Sequence, residues 1–124
     1  MQWLAVALGG ALGAVGRYAV TSYTFPIMEN RFPLGTLIVN VLGSLLMGAC
    51  YVLIIEKGVV PAEWRNFVMT GFLGAFTTFS TYSLDALNLW QNGHFIAAAS
   101  YILLSVASCL LAVALAAGVT LKLL

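Results

Sequence analysis

The chain has 124 residues, 62% hydrophobic and only 7% charged, with a formal net charge of +1. Water-soluble domains carry about a quarter charged residues, so five Lys and Arg with four Asp and Glu cannot cover this chain in water. The composition reads as one integral membrane domain over residues 1–124, and the near-zero charge excludes the basic footprint that nucleic-acid binding requires.

The N-terminal apolar run continues into structure, with no small-residue cleavage site ahead of a soluble region, and so reads as a span rather than a removable signal. A spanning helix takes about 20 mostly apolar residues, and four runs qualify. The first covers roughly residues 2–24, interrupted by Arg17, and leads into turn-prone residues around Pro26, Glu29, Asn30 and Pro33. The second is Leu34–Ile55, closed by Glu56-Lys57-Gly58. Pro61-Ala62-Glu63 then has the proline and the acid favoured in a first helical turn, so the third span starts near residue 62 and runs to Gln91. Asn92-Gly93 marks a tight turn, and the fourth span runs from His94 to about Leu121.

The expected architecture is therefore an all-α membrane protein of four transmembrane helices with short connections. Small residues recur at Gly9, Gly10, Gly13, Ala14 and Gly16 in the first span and at Gly43, Ser44 and Gly48 in the second. At spacings of three and four they let helix backbones approach closely in lipid. Four helices of this size hardly enclose a water-lined path alone, which points to an oligomer. Both termini fall on one side, with Lys57, Arg65 and Lys122, against Arg17 and Arg31 on the other. That is almost no orienting bias. It fits either a single, weakly specified topology or insertion in both orientations, which would let two copies pair head to tail.

Residues 70–83, TGFLGAFTTFSTYS, stand out inside the third apolar run. They hold six small hydroxyl residues, Thr70, Thr77, Thr78, Ser80, Thr81 and Ser83. Thr77 and Thr81 lie four apart, as do Thr70 and Gly74, and Phe79 and Tyr82 lie three apart, so each pair shares a face of a regular helix. Taken singly, each hydroxyl can bond back to a carbonyl of its own helix. As a cluster, Gly71 and Gly74 followed by Thr77-Thr78 make poor continuous helix. Non-helical backbone at membrane depth is tolerated where it is buried in protein or lines a cavity, and such breaks build ion sites from exposed carbonyls. A third helix broken here, with a polar lining, is the expectation.

No catalytic constellation is present: there is no Ser-His-Asp set, HExxH, paired carboxylate or phosphate loop in a plausible context, and an enzyme is not expected. His94, the single histidine, reads as a surface or capping group. Cys50 and Cys109 sit in apolar runs with no CxxC or histidine partner and read as small hydrophobes. Asn40, inside the second span, needs a partner, because an unsatisfied amide there costs several kcal/mol. It is either an interhelical hydrogen bond or a donor to a permeating anion. Arg17 can snorkel to the interface, place its charge in an anion-attracting vestibule, or do both. Asp85 carries the same ambiguity at the end of the third span.

These residues fall into patterns of a known family. GFLGAFTTFSTYS at 71–83, Gly10 to Tyr18 (GALGAVGRY) and Pro33 to Asn40 (PLGTLIVN) resemble the helix-three, helix-one and helix-two motifs of the Fluc (CrcB) fluoride channels, and the likeness covers essentially the whole chain. The resemblance implies an antiparallel, dual-topology homodimer in the cytoplasmic membrane that exports fluoride passively through two pores. It implies a structural sodium ion held at the dimer centre by the backbone carbonyls of Gly74 and Thr77. It also places Asn40, Phe79, Ser80, Thr81, Tyr82, Arg17 and, more loosely, Tyr101 along the fluoride pathway. Three positions depart from the family pattern: Tyr82 stands where a second phenylalanine is usual, Ala75 where a second glycine is, and Cys109 where serine is frequent. A small dual-topology multidrug exporter is the alternative of similar size, but such exporters use an acid inside the first helix, and this chain has none there. A scaffold without transport activity would leave the hydroxyls of residues 70–83 without a purpose.

Overall fold

A computed structural model of the chain describes residues 1–28 and 32–124, with the backbone alone at 25–28. All regular structure in the described residues is helical: α1 (Gln2–Met28), α2 (Leu34–Cys50) continued by a π-helical turn (Tyr51–Glu56), α3 (π-helical Asn66–Leu73, then α-helical Gly74–Phe76), α4 (Phe79–Gln91) and α5 (Phe95–Leu123). Three stretches are long and apolar enough to cross a membrane: Gln2–Thr24, Leu34–Glu56 and Phe95–Leu123. The run from residue 62 to Gln91 is divided between α3 and α4, neither of which alone reaches the roughly 20 residues of a span.

Several ends differ from the sequence expectation. The backbone of α1 stays helical past Pro26 to Met28, as proline is tolerated in membrane helices. The turn residues Glu29 and Asn30 and the charge of Arg31 lie outside the described residues. Pro61-Ala62-Glu63 is a lead-in turn rather than the first helical turn, because Trp64 N–H bonds Pro61 O (3.1 Å) and Arg65 N–H bonds Ala62 O (3.1 Å) at the tighter spacing of three. At the α4–α5 corner Gly93 takes φ 81°, which a residue with a Cβ rarely adopts, and His94 N–H returns to Leu89 O at 2.9 Å.

Packing follows the small residues. The α1 helix lies along α3 and α2 along α5. A Cβ on Gly13 would collide with the carbonyl of Phe72, and one on Gly48 with the carbonyl of Val113. Both glycines therefore set how close two backbones come, the usual basis of helix association in lipid. A smaller cluster joins α4 to α5: Tyr82, Leu89, Ala98 and Tyr101 are buried together, with Phe32, Leu37, Ala86 and Ala97 packed against them. The outward faces are apolar, with Trp3, Ile96, Leu103 and Leu110 all exposed, which suits a lipid surround.

Candidate functional site

The site forms where α3 stops. Thr77 (φ −89°, ψ 159°) and Thr78 (φ −152°, ψ 122°) are extended between helices. Consecutive β-branched residues are stiff, and their hydroxyls compete with helical hydrogen bonding. Thr78 restarts the chain as the N-cap of α4, its Oγ1 accepting from Thr81 N–H at 3.2 Å, the usual way to satisfy a first-turn donor. Asn40 grips the same residue from α2. Its Oδ1 accepts Thr78 N–H at 2.8 Å, and its Nδ2 donates to Thr78 O at 3.1 Å. One turn further along α2, Gly43 makes room for the break, since a Cβ there would overlap Thr77 Cγ2.

A helix C-terminus leaves its last four carbonyls without helical partners. Here Leu73 O receives Thr77 N–H (3.1 Å) and Thr77 Oγ1–H (3.0 Å). Arg17 Nε donates to Ala75 O at 3.0 Å, and Thr78 O is taken by Asn40. No donor among the described residues reaches the carbonyls of Gly74, Phe76 or Thr77. Gly74 is exposed and Thr77 half-buried. Unwound carbonyls at a broken membrane helix are the donor type that holds sodium in transport proteins, so Gly74 and Thr77 fit a monovalent cation chemically.

Beside the break lies a cavity of about 290 Å³, lined by Asn40, Thr77, Thr78, Phe79, Tyr82 and Ser105 among others. Cys109 also lines it as a free, half-buried thiol. The rings of Phe79 and Tyr82 lie 5.4 Å apart, tilted by 55°. Ser105 is buried, and its Oγ has no hydrogen-bond partner among the described residues. A buried, unpartnered hydroxyl is costly, and Ser105 is a cavity-lining residue whose hydrogen-bonding capacity is unused among the described residues. Tyr82 is anchored from behind. Its hydroxyl donates to Ile102 O at 3.1 Å, and its ring lies 5.2 Å from that of Tyr101. Tyr101, fully buried, donates to Asp85 Oδ2 at 3.1 Å and packs perpendicular to the ring of Phe32 at 5.4 Å.

Of the residues singled out in the sequence, Asn40, Phe79 and Tyr82 meet at this cavity together with Thr77. Ser80 and Thr81 are not among its lining residues. Ser80 is exposed, with its Oγ 3.4 Å from Thr78 Oγ1, and the backbone of Thr81 serves the α4 cap. Thr77 and Thr81 do not share a helical face, because the helix begins between them. Arg17 reaches the break at Ala75 O rather than the cavity, and Tyr101 stands behind Tyr82. Sequence reasoning missed Ser105. The signal was there: Tyr101, Ser105 and Cys109 recur every four residues along one face of α5.

Comparison with known proteins follows the same outline. The family described as CrcB-like protein, Camphor Resistance (CrcB), matches residues 4–118. The chain is 54% identical over 121 residues to the fluoride-specific ion channel FluC of Saccharophagus degradans, covering 98% of this chain and 90% of that one. It is 49% identical over 116 residues to the FluC of Hahella chejuensis, covering 94% and 90%. Against the FluC of Magnetococcus marinus the identity is 47% over 112 residues, covering 90% and 91%. With a family match that spans both the break and the cavity, this chain belongs to the CrcB-like proteins.

Proposed function

We propose that this chain is a fluoride-specific ion channel of the cytoplasmic membrane, one four-span domain that lowers cytoplasmic fluoride by passive export. The observation that carries the reading is the cavity beside the break, which is lined by an amide residue (Asn40), two aromatic residues (Phe79 and Tyr82) and a serine whose buried Oγ has no partner among the described residues (Ser105). Relatives of about half-identical sequence bear the name of this activity. Fluoride is small and strongly hydrated, so a pore must replace its water with hydrogen-bond donors and other positive partners. The Ser105 hydroxyl and the Asn40 amide are donors, and the rims of the Phe79 and Tyr82 rings carry the positive edge of the aromatic quadrupole. Selectivity against chloride then rests on close geometry and on donors suited to the smaller ion. The chain has no nucleotide-binding motif, and a negative-inside potential contributes about 2.3 kcal/mol per unit charge per 100 mV toward expelling an anion.

The working unit in this reading is an antiparallel homodimer with two pores. Phe79 is 77% exposed and Gly74 is exposed on the other side of the break in the chain, so an aromatic ring and a residue with a free carbonyl stand uncovered, where a second copy would cover them. Near-balanced loop charges permit both insertions. The carbonyls of Gly74 and Thr77 would hold a structural sodium ion at the centre, and that ion would supply positive charge near the anion path. Arg17 adds a fixed cation at Ala75 O.

The test is ion efflux from liposomes that contain the purified protein and are loaded with potassium fluoride or potassium chloride, followed by ion-selective electrodes after the counter-ion is made permeant. Rapid fluoride efflux with negligible chloride efflux is expected. A folded preparation silent to fluoride would refute the channel reading.

A further inference from the structure

Asn40 has its polar atoms committed in a way that its place beside an anion cavity does not require. Its Oδ1 and Nδ2 bond both backbone groups of a single residue, Thr78, 38 positions away. In a continuous helix Thr78 N–H would go to Gly74 O, and Thr81 N–H to Thr77 O. Here the first is taken by Asn40 Oδ1 (2.8 Å) and the second by Thr78 Oγ1 (3.2 Å). The two diverted donors are the helical partners of the two carbonyls assigned to sodium. A third neighbour, Ala75 O, is filled by Arg17 Nε, and Leu73 O by Thr77. The side chains around the break thus divide its carbonyls into filled and free.

We infer that Asn40 and Thr78 are positioning residues for the cation site: their side chains capture the N–H groups of Thr78 and Thr81, which keeps the carbonyls of Gly74 and Thr77 free for a monovalent cation. This rests on the sodium reading above. It also links the two sites, because Asn40 lines the anion cavity while it holds the break. With one Nδ2 hydrogen used on Thr78 O, the amide retains a second, so a single side chain can serve the carbonyl site and the anion space together. Loss of the clamp acts on the cation through backbone geometry, as outer-shell partners of metal ligands do.

The experiment follows thermal unfolding of the purified full-length protein by tryptophan fluorescence, in sodium chloride titrated against N-methylglucamine chloride at constant ionic strength. Wild type is expected to gain stability with sodium. Thr78→Ser, which keeps the capping oxygen, should retain the wild-type sodium midpoint. Asn40→Ala and Thr78→Val should raise that midpoint by about ten- to a hundredfold, the usual effect of removing an outer-shell partner. Wild-type midpoints in both variants would overturn the clamp while leaving the sodium site intact, whereas a wild type indifferent to sodium would overturn the sodium reading and the clamp with it. Should Asn40→Ala fail to fold, amide exchange in the wild type decides. Thr78 N–H must exchange slowly and be slowed further by sodium, and fast exchange in saturating sodium would overturn the inference.

Discussion

Tyr82→Phe separates two ways in which the added hydroxyl could act. At this position the ring faces the cavity, but the hydroxyl points into α5 and donates to Ile102 O at 3.1 Å. That carbonyl keeps its own helical donor four residues on, so removing the hydroxyl leaves no buried acceptor wholly unpartnered. The loss is then a single net hydrogen bond, about 0.5–1.5 kcal/mol, with no cavity larger than the oxygen itself. The ring edge remains. Tyr82→Phe should therefore lower stability by roughly 1 kcal/mol while fluoride flux stays within a few-fold of wild type. If the hydroxyl instead served the anion directly, its loss would remove a hydrogen bond to a charged group worth about 1.5–3 kcal/mol. Each 1.4 kcal/mol or so is a factor of about ten in rate, so flux would drop by roughly ten- to a hundredfold. Liposome efflux gives the rate and denaturant unfolding in detergent the stability. A tenfold or greater loss of flux at near-wild-type stability would refute the claim that the hydroxyl is spent on Ile102.

Substitutions at two further positions test Phe79 on the cavity wall and Asp85 behind it. Phe79→Ile keeps bulk at the exposed ring but removes its positive rim, and fluoride efflux should fall sharply; wild-type rates would reject the aromatic role. Asp85→Ala leaves the hydroxyl of fully buried Tyr101 without its acceptor, at a cost of about 1–3 kcal/mol, while Asp85→Asn retains an acceptor oxygen and should restore most of that stability in the same unfolding assay. Equal stability in the two Asp85 variants would show that the Tyr101 bond contributes nothing.

What could be seen in the sequence follows from how local its causes are. The apolar spans were legible because lipid demands long uncharged runs, and the Asn92-Gly93 turn because its backbone needs a residue free of a Cβ. The cluster Thr77-Thr78 after Gly74 announced poor helix for a local reason, the stiffness and competing hydroxyls of threonine. The start of the third helix was legible to within about two residues, helical backbone beginning at Trp64, because proline and an acid satisfy a tight turn as readily as a first helical turn. The roles of individual hydroxyls were harder to read. Ser80 and Thr81 carry the same group as Ser105, yet they stand away from the cavity. Their positions depend on where α4 restarts, and that is decided by the Thr78 cap.

The division of carbonyls at the break shows why the rest was hidden. Which oxygen stays free depends on three side chains from separate parts of the chain: Arg17 on α1, Asn40 on α2 and Thr78 in the break itself. Asn40 in isolation left open whether it was a structural bond or a ligand for the anion. The structure makes the two readings compatible, since the amide bonds the backbone of Thr78 and lines the cavity. Arg17 adds a third such bond, since its Nε fills the carbonyl of Ala75 between two free ones. A polar residue inside a span therefore has to be judged by the backbone group that it satisfies and by the one that it thereby leaves free. For this chain the second effect leaves the carbonyls of Gly74 and Thr77 without a donor among the described residues, shortly ahead in sequence of the Phe79 that lines the cavity.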